Sequence, residues 1–223
     1  MEILLPHHIN NGHPVISTHT LVVIGTNGVG KSSFGKDLLK RYPGKAQNIC
    51  GLHALFITTQ PEDKANTDDW WQMSTLINER MRLPRITEYE KLILRLQHEE
   101  FEASVNYKEA SKTNPSLQPP ATKLDTIQQI WEEMFPHNRL LRKSGFIELT
   151  STYRDSDSYT AGRMSDSEKL VFYLIGAILY ASPNALLVVE EPETLLHTSI
   201  KNILWDKIER IRPDCTFVYL THD

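Results

Sequence analysis

The segment at residues 25–32, with the sequence GTNGVGKS, constrains the fold of this chain more than any other feature. It matches the pattern G-x-x-x-x-G-K-[ST] in full. An apolar run at residues 20–24 precedes it, and a segment with a helical pattern follows at residues 33–41. A strand, a glycine-rich turn and a helix in this order are the context that a phosphate-binding loop requires. The sequence therefore predicts a nucleoside triphosphate site in an α/β fold.

Each residue type in this loop has a chemical role. The glycines let backbone N–H groups turn toward phosphate oxygens at the positive N-terminus of the following helix. Lys31 is expected to reach the β- and γ-phosphates, and the hydroxyl of Ser32 is expected to bind Mg²⁺. The residues predicted to contact the nucleotide from this loop are Gly25, Asn27, Gly28, Gly30, Lys31, Ser32 and Ser33.

A cluster of carboxylates follows the apolar run at residues 186–189, where Glu190, Glu191, Pro192 and Glu193 stand in sequence. A buried parallel strand that ends in carboxylates delivers them to the edge where open α/β sheets bind ligands. One carboxylate can hold Mg²⁺ through its water, and the next can polarise an attacking water. The alternative is a solvated acidic turn, but the complete phosphate loop favours the catalytic interpretation.

Two further positions are candidates on weaker local patterns. Ser165, with Glu168 three residues later, forms a capping-box pattern before an apolar helix. A serine hydroxyl at a helix N-terminus can also hold a γ-phosphate, and the two interpretations are compatible. His222 follows an apolar strand at residues 216–220, where it could contact a γ-phosphate or simply be a surface histidine.

The pattern along the chain divides it into three blocks. Residues 1–60 and 146–223 have α/β patterns, while residues 61–145 are polar and mainly helical in pattern. The predicted architecture is one nucleotide-binding domain interrupted by a helical insertion. Helices are predicted at residues 88–112, 124–135, 165–180 and 198–210, and strands at 20–24, 54–57, 185–189 and 216–220.

Composition narrows the function classes. With 223 residues, of which 40% are hydrophobic and 23% charged, the chain is predicted to be globular rather than disordered or fibrous. The net charge of −4 gives no general affinity for nucleic acid, so such contact stays open and would need a local patch. The small basic cluster of Arg80, Arg82 and Arg85 equally suits a solvated helix face. Two distant cysteines exclude a structural zinc site.

The sequence has neither the pattern of a secretory signal peptide nor an apolar stretch as long as a membrane span. The N-terminus has no basic region, and so does not have the pattern of a signal peptide. The longest apolar stretch, at residues 170–181, is shorter than a membrane span requires. We therefore expect a cytoplasmic protein without membrane contact.

The four motifs, in this order from Gly25 to His222, resemble the ABC-type ATPase head shared by SMC-like and OLD-like proteins. Residues 190–197, EEPETLLH, are similar to the E-P-E-x-x-L-H stretch of OLD-like ATPases, which serve in bacterial anti-phage defence. Residues 131–133, 164–169 and 217–223 look most like ATPases paired or fused with toprim-like nuclease effectors, as in PARIS-type systems.

The resemblance implies an ATPase that uses ATP and Mg²⁺. It assigns Glu190 to the Mg²⁺ side, Glu191 as general base and His222 as γ-phosphate switch. Ser165 would be the signature serine that acts on nucleotide held by the opposite protomer. Gln60 is the candidate for a glutamine near Mg²⁺ and the attacking water, with an ordinary loop glutamine as an equal alternative. The implied catalytic residues are thus Lys31, Glu191 and His222, and the implied metal ligands are Ser32, Glu190 and Gln60.

The same resemblance implies a homodimer or higher homo-oligomer with ATP at the interface, gating a toprim-like nuclease effector. The insertion is too short for the coiled coils of true SMC proteins and suits a compact helical arm. Trp70 and Trp71 at its start are expected to pack internally or, alternatively, to dock a partner. Because the chain stops just after His222, we expect it to be a domain of a longer protein.

Three departures from the family pattern bear on the choice between functions. Ser167 stands where the signature usually has glycine, and Glu190 where aspartate is usual; both bear on hydrolysis more than on binding. They favour a nucleotide-dependent scaffold with little turnover as the second reading. Residues 1–24 contain no Phe, Trp or Tyr to stack on adenine, which argues against a transporter subunit. A small-molecule P-loop kinase is a third alternative, but no arginine-rich lid follows the acidic strand.

Overall fold

The computed structural model describes residues 2–5, 15–59, 86–143, 145–151 and 158–222. The chain forms two compact units, one comprising Met1–Gly51 with Ala177–Asp223 and the other comprising Leu52–Gly176. Of the segment predicted as an insertion, residues 61–145, the described part (86–143 and 145) belongs to the second unit, which also includes described residues on both sides of that segment. No helix in the described ranges is long and apolar enough to cross a membrane.

The first unit contains a four-stranded sheet and the helices that pack on it. Its elements are β1 (Glu2–Leu4), β2 (Val15–Ser17), β3 (Thr20–Ile24), α1 (Lys31–Arg41), β4 (Ala46–Cys50), β10 (Leu186–Glu190), α6 (Thr198–Ile211) and β11 (Thr216–Thr221). The strand order is β3–β11–β10–β4, and every neighbouring pair is parallel. A parallel α/β sheet is therefore present, as the sequence predicted.

The centre of this sheet is apolar because it is covered on both faces. All residues of β11, and all residues of β10 except Glu190, are buried. Strand β11 pairs with β3 on one side and with β10 on the other. Helix α1 lies close to one face, since a Cβ on Gly35 would stand 2.8 Å from Leu220 Cδ1 and 3.1 Å from Val188 Cγ1. The core on this face contains Ile3, Leu5, Phe34, Leu38, Leu186, Val188, Val218 and Leu220.

Helix α6 packs against the opposite face of the sheet. Successive side chains of a strand point to alternate faces, so Tyr219 points away from the face that carries Val218 and Leu220. The Trp205 ring lies edge-on to Tyr219 with 5.1 Å between ring centroids. The hydroxyl of Tyr219 donates a hydrogen bond to Glu209 Oε1 at 2.7 Å. Burial, together with the Glu209 carboxylate, raises the pKa of Tyr219 well above its usual range. The sheet is thus enclosed between α1 and α6.

The second unit mixes helices with short antiparallel sheets. Its elements are α2 (Gly51–Phe56), β5 (Thr58–Thr59), β6 (Ile86–Thr87), α3 (Glu88–Thr113), α4 (Lys123–Met134), β7 (Asn138–Lys143), β8 (Phe146–Ser151), β9 (Tyr159–Thr160), a 3₁₀ helix (Ala161–Arg163) and most of α5 (Asp166–Leu179). Helix α3 begins with a capping box between Thr87 and Glu90, and α4 with one between Thr122 and Asp125. Tyr89, at the start of α3, is buried.

The helices predicted at 88–112, 124–135, 165–180 and 198–210 are confirmed to within about two residues. The strand predicted at residues 54–57 is wrong, because α2 covers residues 51–56. The actual strand is β4, which sits at the edge of the sheet and buries only Ile49 deeply, so its apolar signal is weak. The antiparallel pair β7–β8 was not predicted. Trp70, Trp71, Arg80, Arg82 and Arg85, for which packing, docking or basic-cluster roles are predicted, lie outside the described residues.

Candidate functional site

The phosphate loop connects β3 to α1 in the first unit. Gly28 and Gly30 have φ angles of 83° and 102°, in the left-handed region that favours glycine. Gly30 is the N-cap of α1; no described side chain caps the helix, and no acidic residue lies in its first turn. The first N–H groups of α1 therefore have neither a side-chain cap nor an acidic residue in their own turn, which makes this end suitable for an anion.

Lys31, the first residue of α1, lies across the loop. Its Nζ atom donates hydrogen bonds to the carbonyl oxygens of Gly25 at 2.5 Å and Thr26 at 3.0 Å. The N–H of Gly25 in turn donates to the carbonyl of Thr221 at 3.3 Å, so the start of the loop is fastened to β11. The ammonium group is thereby held over the concave side of the loop, where phosphate oxygens would bind.

The strand β10 delivers the carboxylates. Glu190 is its last residue, and Glu191 turns the chain away with a φ of 50°, an uncommon conformation for a residue with a side chain. Thr194 Oγ1 donates to Glu191 Oε2 at 3.1 Å, and the Thr194 N–H donates to the Glu191 carbonyl at 3.0 Å. The turn therefore fixes one oxygen of the Glu191 carboxylate.

The loop and the carboxylates line a single cleft of about 230 Å³ within the first unit. Strand β11 lies between β3 and β10 and contributes Leu220 to the lining. The residues lining the cleft are Asn27, Gly28, Gly30, Lys31, Ser32, Ser33, Glu190, Glu191 and Leu220. The nucleotide-contacting residues predicted from the loop thus lie together with both predicted acids; Gly25 adjoins them through its contact with Lys31.

His222, the predicted γ-phosphate switch, follows directly after β11; its side chain is half exposed and is not among those that line the cleft. Its Nδ1 atom lies 3.0 Å from Glu193 Oε1, and its backbone N–H donates to the same oxygen at 3.2 Å. Glu193 has no role predicted from the sequence. The sequence shows Glu193 as the third carboxylate of the cluster at residues 190–193, but nothing in either segment indicates that it meets His222.

Ser165 belongs to the second unit, where it is exposed just before α5. Its hydroxyl and its backbone N–H each donate to Glu168 Oε2 at 2.8 Å, and the Glu168 N–H donates to Ser165 Oγ at 3.4 Å. The predicted capping box is therefore present. The hydroxyl of Tyr159 donates to Glu168 Oε1 at 3.1 Å, and burial together with this carboxylate raises the pKa of Tyr159 to about 12. Gln60 lies outside the described residues.

The donors in the cleft fit a magnesium–nucleotide complex. Ser32 and Glu190 both line it, and hydroxyl and carboxylate oxygens are ligands that Mg²⁺ accepts alongside phosphate oxygens. The uncapped N-terminus of α1 and the ammonium of Lys31 supply the positive partners for phosphate. A small-molecule anion carrying a divalent cation is thus the ligand class that this cleft suits.

No protein-family model and no curated protein matches this sequence. Among solved structures, the chain is similar to one described as the crystal structure of the SmcHead bound to the C-winged helix domain of ScpA. That similarity has a TM-score of 0.33 at 14% sequence identity, and covers 44% of this chain and 33% of that chain. The functional assignment therefore depends on the motifs and the cleft of this chain itself.

Proposed function

We propose that this chain is an ATPase head of the ABC type, which binds ATP with Mg²⁺ in the cleft and hydrolyses it. The observation that carries the proposal is that the phosphate loop and the strand-end carboxylates line one cleft, although they are far apart in sequence. Both groups are needed for phosphoryl transfer to water, the first to hold phosphate and the second to handle metal and water.

On this proposal the loop and the start of α1 hold the phosphates. The backbone around Gly28 and Gly30 and the N-terminus of α1 donate hydrogen bonds to phosphate oxygens. Lys31 exchanges its contacts with the loop carbonyls for the β- and γ-phosphate oxygens. Ser32 and Glu190 would hold Mg²⁺, which supplies positive charge at those oxygens when bound.

Glu191 is the proposed general base. Thr194 occupies its Oε2 atom, which leaves Oε1 to accept a proton from a water placed in line with the γ-phosphate. Lys31 and the N-terminus of α1 stabilise the negative charge on the phosphate oxygens as the water attacks. Because the groups are fixed by the loop and the turn, catalysis is mainly a matter of positioning.

We further propose that ATP joins two copies of the chain, or more in a higher homo-oligomer. Ser165, exposed at the start of α5, would complete the site of the opposite protomer. Hydrolysis would separate the copies, and the nucleotide state would gate a toprim-like nuclease effector in cytoplasmic anti-phage defence. The support for this step is that the EEPETLLH segment resembles OLD-like ATPases and that residues 131–133, 164–169 and 217–223 resemble ATPases paired or fused with toprim-like effectors. Gln60 is retained as the proposed glutamine near Mg²⁺.

Light scattering of the Glu191→Gln variant, with and without Mg²⁺-ATP, tests the assembly. Blocking the base should trap the joined form, so we expect the mass to double with ATP. Ser165→Arg should abolish the doubling while leaving ATP binding intact, and Lys31→Ala should abolish both. If calorimetry shows that ATP binds but the mass does not change with ATP, the proposal that two copies share the ATP site is overturned.

Phosphate release by the wild type, with no added acceptor, tests the reaction itself. Steady release that Glu191→Gln eliminates would support an ATPase. ATP binding without release would favour the scaffold, and release only in the presence of a small hydroxyl compound would favour a kinase. Unimpaired ATP binding by Lys31→Ala would overturn the assignment of the cleft.

A further inference from the structure

The two chain segments that leave the cleft run side by side. Glu190 pairs with Leu220 in the parallel ladder, and the N–H of Glu191 donates to the Leu220 carbonyl at 2.9 Å. Two residues further along each segment, Glu193 contacts His222 through the ring and through the backbone. The Glu193–His222 pair is therefore the next contact beyond two residues that line the cleft.

We propose that Glu193 is a positioning residue that orients the imidazole of His222 toward bound nucleotide. This inference rests on the proposed ATPase function, in which His222 is the γ-phosphate switch. Glu193 itself touches no reacting atom on this proposal. It acts by setting the place and the tautomer of His222.

The chemistry of the contact determines the tautomer. An ionised carboxylate only accepts hydrogen bonds, so the proton between Glu193 Oε1 and His222 lies on Nδ1. The same oxygen also accepts the backbone N–H of His222, so ring and backbone are held by one atom. Nε2 is the ring nitrogen that remains for a ligand. A carboxylate partner at one ring nitrogen is a common way to orient a histidine for work at the other.

The burial of Glu193 supports a role beyond stability. Its side chain is 12% exposed, whereas that of His222 is 47% exposed. The Oε2 atom of Glu193 is buried and has no hydrogen-bond partner among the residues that the structure describes. A buried carboxylate oxygen without a partner costs free energy, and stability alone does not favour its retention. The same position filled by an apolar side chain would avoid that cost.

The turn that carries Glu193 is itself held in place. The Trp205 Nε1–H donates to the carbonyl of Pro192 at 3.2 Å, which ties the turn to α6. The Leu196 N–H donates to the carbonyl of Glu193 at 3.2 Å, which closes the turn on its other side. Glu193 is therefore a fixed support rather than a mobile surface acid, as a positioning role requires.

Steady-state ATPase kinetics of Glu193→Ala and Glu193→Gln test the proposal. Glutamine keeps an oxygen that can accept both hydrogen bonds from His222, whereas alanine removes it. We expect Glu193→Ala to lower kcat about tenfold, the scale seen when the carboxylate partner of a metal-binding histidine is removed, with little change in KM for ATP. Glu193→Gln should recover most of kcat. Equal loss in both variants, or no loss in either, would overturn the proposal.

A ¹⁵N NMR measurement of the imidazole provides a readout that does not need ATP. At a pH high enough to deprotonate the ring, His222 should carry its proton on Nδ1 in the wild type and in Glu193→Gln. In Glu193→Ala it should move toward the tautomer mixture of a free histidine. A His222→Gln spectrum identifies the signal among the nine histidines.

The ATPase kinetics and the ¹⁵N NMR measurement distinguish failure of the proposed ATPase function from failure of the proposed positioning role of Glu193. If the wild type neither binds nor hydrolyses ATP, the proposed function is wrong, and the NMR result still decides whether Glu193 sets the tautomer of His222. If ATP is hydrolysed but the tautomer in Glu193→Ala is unchanged, the positioning role is wrong and the ATPase assignment stands.

Discussion

The backbone N–H of Glu191 donates a hydrogen bond to the carbonyl of Leu220 at 2.9 Å, and Glu191 has a φ of 50°. The chain thus leaves β10 still attached to β11 but turned out of the extended conformation. This turn places the Glu191 carboxylate in the lining of the cleft rather than on the next position of a strand. A left-handed backbone at a non-glycine residue is strain that a functional site can retain.

Glycine at position 191 should separate this strain from activity. A residue with a Cβ atom is destabilised in the left-handed backbone conformation, and Glu191→Gly removes this cost. We therefore expect the free energy of unfolding to be unchanged or raised by up to about 1 kcal/mol. Phosphate release should fall to background. Glu190→Gly, the matched control in β10, should instead lower the free energy of unfolding by about 1 kcal/mol. Equal destabilisation of both variants in urea would argue against strain at Glu191.

Gly35 should tolerate no larger side chain, because α1 lies against β10 and β11 at this point. We expect Gly35→Val to lower the free energy of unfolding by about 1–3 kcal/mol, since its Cβ would meet Leu220 and Val188. Lys36→Val, at an exposed position of the same helix, should change it by less than about 1 kcal/mol. Urea unfolding measures both, and similar losses in the two variants would contradict close packing as the cause.

Arg212 should not be replaceable by lysine. Its guanidinium donates to the carbonyls of Ile178, Ala181 and Ser182, at 2.6, 2.9 and 2.9 Å, and so satisfies the end of α5. An ammonium cannot reproduce this fork, so we expect Arg212→Lys to lower the free energy of unfolding by about 2 kcal/mol.

The exposed pair of Arg41 with Asp37 supplies the matched control for Arg212. Surface ion pairs between neighbouring turns of a helix are worth little, so Arg41→Lys should change the free energy of unfolding by less than about 0.5 kcal/mol. Thermal and urea unfolding of the two variants give the comparison. A loss at Arg212 no larger than at Arg41 would show that the carbonyl contacts are not stabilising.

Asp214 should make stability depend on acid pH. The hydrogen bond from Arg212, followed by that from the Asn184 N–H, holds the pKa of this carboxyl well below its usual range. A pKa depressed by folding contributes stability that is present above the unfolded pKa, about 4, and is lost as the pH falls through the folded value. The loss from Asp214→Asn should therefore be largest at neutral pH and shrink below about pH 4. Urea unfolding at a series of pH values measures it, and a loss that grows toward acid would contradict the sign.

The parts of the site that are local in sequence could be predicted. The phosphate loop directly follows β3, and the Glu190–Glu191 pair stands at the end of β10, so each strand and its functional residues are recognised together in the sequence. The contact of Glu193 with His222 could not be predicted, because it depends on the register of β10 against β11 and on the turn at Glu191. A long-range pairing of this kind leaves no periodic signal in either segment.

The errors in the predicted secondary structure also arise where long-range pairing outweighs local composition. Residues 54–57 are apolar and were interpreted as a strand, but Gly51 begins a short helix that buries Ala54 and leaves Phe56 exposed. The edge strand β4 is polar at Gln47 and Asn48, so its role in the sheet depends on pairing with β10 rather than on its own composition. Strand β7 of the antiparallel pair β7–β8 is likewise rich in charged residues.

The position of β11 has a consequence for how the protein is made. In the sheet, β11 lies between β3 and β10 and pairs with both. Phe217 of β11 pairs with Thr20 of β3, about 200 positions earlier in the chain. During synthesis the phosphate loop leaves the ribosome long before the strand that fastens it. The pairing of β3 with β11 can therefore form only after residues 216–221 have been synthesised, so the hydrogen bond from the Gly25 N–H to the Thr221 carbonyl is a late event in folding.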